Sequence, residues 1–150
     1  MSDKSSQVVD GIAGRCIGAR VRLLNRVVTG LYDNALRPLG VKASQFNILV
    51  VAGKLGLARP AEVCAILRLD TSTLSRNVER MRTQGWLEVV PTDDARMQPF
   101  RLTTQGKRLL EQAAPAWKKA QQEAEKLLGN DGVALLGRLA GKLGMPIKDR

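Results

Sequence analysis

Apolar residues recur at helical spacing through residues 8–36, where Ile12, Cys16, Ala19, Leu23, Val27, Leu31 and Ala35 share one face. Arg15, Arg20, Arg22 and Arg26 lie off that stripe. The pattern predicts a long amphipathic helix that needs a partner surface, ended by Pro38 and Gly40. Ser44 is a good N-cap for the next helix, with Phe46, Leu49 and Val50 as its buried face and Gly53 and Gly56 at its end. Pro60 then suits the first turn of a short helix through Leu67. Leu69, Asp70 and Thr71 form a turn, and Asp70 or Thr71 caps a helix that runs to Gln84 and stops at Gly85. On this helix Leu74, Val78 and Met81 form a buried stripe. Thr71, Ser72, Thr73, Ser75, Arg76 and Arg80 fall outside it, so one face packs and the other carries hydroxyls and positive charge.

After Gly85 the period changes from helical to alternating. Residues 86–90 compose a short strand, Pro91, Thr92, Asp93, Asp94 and Ala95 supply turn chemistry, and Phe100, Arg101 and Leu102 return as a second strand. Arg96 falls near the tip of that hairpin. Thr103 caps a last long helix whose apolar positions include Leu109, Ala113, Trp117, Ala120, Ala124 and Leu127. Pro115 predicts a kink in it. The run Gly129, Asn130, Asp131, Gly132 predicts a break before a final helix over 133–143.

A short helix, a tight turn, a second helix opening on hydroxyls and then a hairpin is the order of a winged helix-turn-helix. That unit lays its second helix in the DNA major groove and its wing on the flanking backbone. The predicted fold is therefore mainly α, a winged helix-turn-helix with a small β-hairpin wing and long N- and C-terminal helices. At 150 residues a single domain is expected. Charge agrees with that destination: 24 Lys and Arg against 14 Asp and Glu leave a net +10, which favours a polyanionic partner through counterion release. The absence of His removes the commonest general acid/base, His-based zinc sites and Ser-His-Asp chemistry. Without a Gly-rich phosphate loop or clustered carboxylates, no enzyme, metal or cofactor is expected. The polar N-terminus, the two Cys without a CxxC and the lack of a long apolar run predict a cytoplasmic, non-membrane protein. With only 3% aromatics, single-strand stacking platforms are disfavoured relative to a duplex partner.

The segments LRLDTSTLSRNVERMRTQGWLE and TDDAR followed by LTTQGKRLL resemble the recognition-helix and wing regions of the MarR family, the multiple antibiotic resistance regulators. The resemblance spans residues 10–145 and includes Asp94 and Arg96 of an Asp-x-Arg wing tip, then Leu102, Thr103 and Gly106 of a Leu-Thr-x-x-Gly motif. It implies a homodimer built from helices in 8–36 and 104–145, with 44–103 as the DNA-binding part. Such a dimer binds a pseudo-palindromic double-stranded operator as a repressor or, less often, an activator. In one respect the chain departs from the family: Met97, Gln98 and Pro99 stand where many members carry further basic residues after the wing Arg. This implies a weaker grip by the wing unless Arg101 compensates.

The DNA-facing candidates are Thr71, Ser72, Thr73, Ser75, Arg76, Arg80, Asp94 and Arg96. Ser and Thr hydrogen-bond several bases and phosphates, and Arg prefers the guanine N7/O6 pair. Arg80 points to a phosphate contact or a plain surface charge. A cation at the wing tip gains from the negative potential of a narrow minor groove, and Asp94 is placed to orient it. The competing reading makes Thr71 and Ser72 caps, Asp94 a turn former and the arginines solvated charges. The resemblance also implies a small aromatic or lipophilic effector. Tyr32, Phe46 and Trp117 are the candidate lining, with Arg20 or Arg22 to pair a carboxylate. Plain core packing is the alternative for each. Cys16 admits a redox-sensing role beside Arg15 or an inert place on the apolar stripe. A winged-helix scaffold for a protein partner is the rival function.

Overall fold

In a computed structural model of the chain, residues 3–94 and 98–144 are described. Their order is α1 (Lys4–Arg15), α2 (Ile17–Leu36), a short 3-10 turn (Arg37–Leu39), α3 (Ala43–Leu55), α4 (Pro60–Leu67), α5 (Thr71–Thr83), β1 (Leu87–Val89), β2 (Phe100–Leu102) and α6 (Thr104–Lys142). The strands pair antiparallel, with Leu87 opposite Leu102 and Val89 opposite Phe100.

The core gathers where α3, α4, α5 and the hairpin meet the first turns of α6. Ile48, Leu49 and Ala52 of α3, Val63 of α4, Leu74 and Met81 of α5, and Leu87 and Phe100 of the strands are all essentially inaccessible to solvent. Burying such side chains contributes roughly 1.5–3 kcal/mol each. The predicted stripe of α5 packs as expected, with Val78 half-buried beside Leu74 and Met81. Ala58, just before α4, bridges Phe100, adding a short third rung to the sheet.

Four expectations are corrected. The N-terminal helix is interrupted at Cys16, whose backbone is extended (φ −64°, ψ 105°), so α1 and α2 are separate helices. Helical spacing of apolar residues runs straight through this break, while Gly11, Gly14 and Gly18 around it are weak helix formers. The Cys16 Sγ accepts from the Ala19 N–H at 3.4 Å and so caps α2. Helix α3 begins one residue before Ser44, with Lys42 as N-cap. Its opening amides are satisfied once from α2 and once from its own first turn. Ala43 N–H donates to Asp33 Oδ1 at 2.7 Å, and Lys42 N–H donates to Gln45 Oε1 at 3.0 Å. Val50 is exposed, its expected place in the core being taken by Ile48. The C-terminal break narrows to one residue, Gly129 (φ 69°, ψ 169°), with Pro115 inside the helix.

The stripe on α1 and the first half of α2 finds little cover among the described residues, whereas the second half of α2 packs on α6, with Leu31 and Ala35 half-buried. Ile12 and Leu23 remain more than 60% exposed, and Leu127, Leu135 and Leu139 of α6 are exposed as well. These apolar faces are the part of the sequence pattern that the fold of one chain leaves unsatisfied.

The start of α6 is locked to the end of α5. Thr103 Oγ1 accepts from Gly106 N–H and donates to the Gly85 carbonyl, and Thr103 N–H donates to the Trp86 carbonyl. Gly106 is buried there, and a Cβ would run into the Trp86 carbonyl oxygen. Gly106→Ala is therefore expected to destabilise the fold by about 1–3 kcal/mol, read as a lower urea midpoint at unchanged slope. An unchanged midpoint would mean that this helix start tolerates displacement.

Candidate nucleic-acid interface

Helix α4 ends at Arg68, which takes the left-handed conformation (φ 53°, ψ 44°) usual for glycine. Its guanidinium donates to the Leu143 carbonyl at 2.8 Å, linking the turn to the end of α6. Two residues on, Asp70 caps α5. Its Oδ1 accepts from Thr73 N–H and from Ser72 Oγ–H, and its Oδ2 accepts from Thr73 Oγ1–H, each at 2.7 Å. These bonds, with Arg76 nearby, hold the Asp70 carboxyl well below the usual carboxylate range. Asp70 is thus the cap that one of the two sequence readings predicts, and it also organises the hydroxyls around it.

Beyond the cap, Thr71, Ser72, Ser75, Arg76 and Arg80 are exposed and Thr73 is half-buried. Leu74, Val78 and Met81 turn inward. Asn77 Nδ2–H donates to the Thr73 carbonyl at 3.0 Å, and Arg82 pairs with Glu79 at 2.7 Å. The result is one solvent-facing strip on which Arg76 and Arg80 make no hydrogen bond or ion pair with another described residue. Thr71 and Ser75 also border a cleft of about 220 Å³ between α5 and the strands, floored by Leu74 and Phe100.

On the wing, Arg101 is engaged across the strands with Glu88 at 2.5 Å, both side chains remaining about half exposed. Asp94 is exposed in the loop between the strands, where Thr92 Oγ1–H donates to its carbonyl. Arg96 lies outside the described residues.

Tyr32, Phe46 and Trp117 come together. With Val28, Thr29, Leu36, Ala43 and Asn47 they line a cavity of about 290 Å³ between α2, α3 and α6. The Tyr32 hydroxyl is bonded to Gln121 Oε1, and burial, then the charge of Glu125, raises its pKa. Arg20 is not part of this lining. Its guanidinium is bonded to the Gly14 carbonyl across the Cys16 break.

Comparison with known proteins places this geometry. Residues 39–96 match the model of the MarR family. The multiple antibiotic resistance protein MarR of Salmonella typhimurium is 31% identical over 129 residues, covering 85% of this chain and 90% of that protein. The chain belongs to the MarR family. Among solved structures, a Cys-to-Ser mutant of MarR from E. coli complexed with operator DNA matches with a TM-score of 0.76 at 28% identity, covering 95% of this chain and 99% of that one. The M. tuberculosis transcriptional regulator MOSR in complex with DNA matches with a TM-score of 0.70 at 32% identity, covering 85% and 98%. The mainly α, winged helix-turn-helix fold expected from the sequence is thus the fold of this MarR-family chain.

Two features of the interface escape sequence reading. Asp70 is visible as a cap, but not as the common acceptor for both neighbouring hydroxyls. Arg68 carries no signal at all, since an arginine does not announce a left-handed turn. The pKa of Asp70 gives a pH test. A carboxyl depressed on folding stabilises the fold above its ordinary value of 3.8, and that contribution is lost as pH falls below it. Wild type is expected to melt above Asp70→Ala by a constant margin down to about pH 5, with the margin closing below about pH 4. A margin that persisted unchanged in stronger acid would show that the cap does not depend on the ionised carboxylate.

Proposed function

We propose that this MarR-family protein is a sequence-specific transcriptional regulator that binds double-stranded DNA as a homodimer and acts by binding rather than turnover. The observation that carries the reading is the solvent face of α5. It presents Thr71, Ser72, Ser75, Arg76 and Arg80 and no large apolar side chain, on a fold that matches a MarR solved with operator DNA. A protein-binding scaffold would instead expose Leu or Met there. Arg76 is assigned to base edges, Arg80 to phosphate, Ser75 and Thr71 to either, and the wing with Asp94 and Arg96 to the flanking minor groove.

The exposed apolar faces of α1, α2 and the end of α6 support the homodimer, because a second copy supplies the partner surface that one chain lacks. Two copies of α5 then meet half-sites about one helical turn apart on a pseudo-palindromic operator, where occupancy represses transcription. Anisotropy on the protein's own upstream region is expected to show tight binding that Arg76→Ala weakens about tenfold or more, and that falls steeply with salt. Equal affinity for that duplex and a scrambled one would reject the reading.

The cavity of Tyr32, Phe46 and Trp117 is proposed as the seat of a small aromatic or lipophilic effector. Such an effector regulates only by binding the DNA-competent and incompetent dimers with different affinity. Trp117 is 40% exposed at the cavity, whereas Trp86 is buried and does not line it. A benzoate-class compound that releases the operator is therefore expected to quench intrinsic fluorescence in wild type and not in Trp117→Phe. Quenching that survives the substitution would place the compound elsewhere.

A further inference from the structure

We infer that Asp70 fixes the polarity of the reading helix, turning Ser72 and Thr73 into hydrogen-bond acceptors that select bases carrying a major-groove amino group, adenine N6 or cytosine N4. The inference rests on the DNA-binding reading above and concerns what that face selects.

A serine or threonine hydroxyl has one hydrogen and two lone pairs, and an ionised carboxylate only accepts. Ser72 Oγ and Thr73 Oγ1 each lie 2.7 Å from a different oxygen of Asp70. Each must therefore spend its single hydrogen on that carboxylate, leaving lone pairs as its remaining capacity. The Asp70 carboxyl stays ionised at any pH at which a duplex is intact, since its pKa is held below the usual range. Phosphate oxygens, guanine O6 and N7 and thymine O4 are all acceptors, so none complements an oxygen that has no hydrogen to give. The groove groups that do are the amino groups of adenine and cytosine. An exposed carboxylate at the same end adds negative potential, which favours amino groups and disfavours phosphates.

One turn further along α5 the chemistry reverses. Arg76 and Arg80 only donate, and they match guanine O6/N7 or phosphate. The helix therefore has an acceptor end at Ser72 and Thr73 and a donor end at Arg76 and Arg80. A serine or threonine without an anchor reads either kind of base. Here Asp70, a positioning residue rather than a contact, removes that freedom.

The full-length protein would first select duplexes from a random pool, which defines the half-site. Anisotropy is then measured on duplexes in which single bases lose one group: purine for adenine or 2-pyrimidinone for cytosine removes the amino group, and 7-deaza bases remove the N7 acceptor. Wild type is expected to lose about tenfold in affinity on amino deletion at one or two bases per half-site. Ser72→Ala or Thr73→Val should abolish that dependence at the same bases. Asp70→Asn keeps an equally good helix cap and is expected to fold, which its melting curve checks. It returns a hydrogen to at least one hydroxyl, so its amino-deletion penalty should fall below about threefold and its selected half-site should loosen there. A half-site with no base whose amino dependence is removed by Ser72→Ala or Thr73→Val overturns the inference. So does an Asp70→Asn variant with the wild-type penalty. Failure of wild type to select any sequence would instead reject the DNA-binding reading beneath it.

Discussion

The arrangement of the winged helix depends on the double backbone bridge between Ala58 and Phe100. Ala58 N–H donates to the Phe100 carbonyl at 2.8 Å and Phe100 N–H to the Ala58 carbonyl at 2.9 Å. Phe100 therefore sits between two neighbours, Ala58 on one side and Val89 of β1 on the other. Its ring, fully buried, fills the space under α3, α4 and α5. The segment leading into α4 is in this way tied to the strand that follows the wing loop. The angle of α5 to the wing becomes a property of one rigid cluster rather than of a flexible hairpin. Truncating such a ring costs about 3–5 kcal/mol, and here it would also free the wing from the helix it must accompany.

Much of this was legible in the chain because the signals are local and agree with one another. Asp70 before a polar turn, Leu74, Val78 and Met81 at helical spacing, and Gly85 at a left-handed stop together define α5 without any distant contact. Thr103 likewise marks the start of α6. What was not legible depends on partners far along the chain. Nothing near Ala58 indicates that it pairs with a residue beyond the hairpin. Nothing near Ala43 shows that Asp33, in another helix, caps it. The break at Cys16 escaped for a different reason: the apolar stripe keeps its period across it, so periodicity alone reads a continuous helix.

Net charge says less about the interface than the fate of each charge does. Arg82 is held by Glu79 and Arg101 by Glu88, while Arg20 and Arg68 turn onto the carbonyls of Gly14 and Leu143. These groups serve the fold or its surface. Arg76 and Arg80 project from the same face as the hydroxyls and have no such engagement among the described residues. A surplus of positive charge across the whole chain favours a polyanion in general, whereas the proposed reading of base edges draws on the groups of this one face.

On the proposed reading, the same joints supply a route from the outer helices to α5. Asp33 of α2 holds the first amide of α3, and Tyr32 and Phe46, next to that joint on either helix, line the aromatic cavity. Helix α3 packs in turn on β2 and α4, the two elements fixed by the Ala58–Phe100 bridge. The proposed effector, filling the cavity, would press on the contact that sets the position of α3 relative to α2. Because the cluster beyond it is close-packed, such a displacement would be passed on as a rigid shift rather than absorbed locally. In a dimer read at two half-sites, a small tilt at this joint is magnified into a change in the spacing of the two copies of α5. Geometry of that kind needs no contact between effector and DNA, only two dimer arrangements of unequal affinity for the effector.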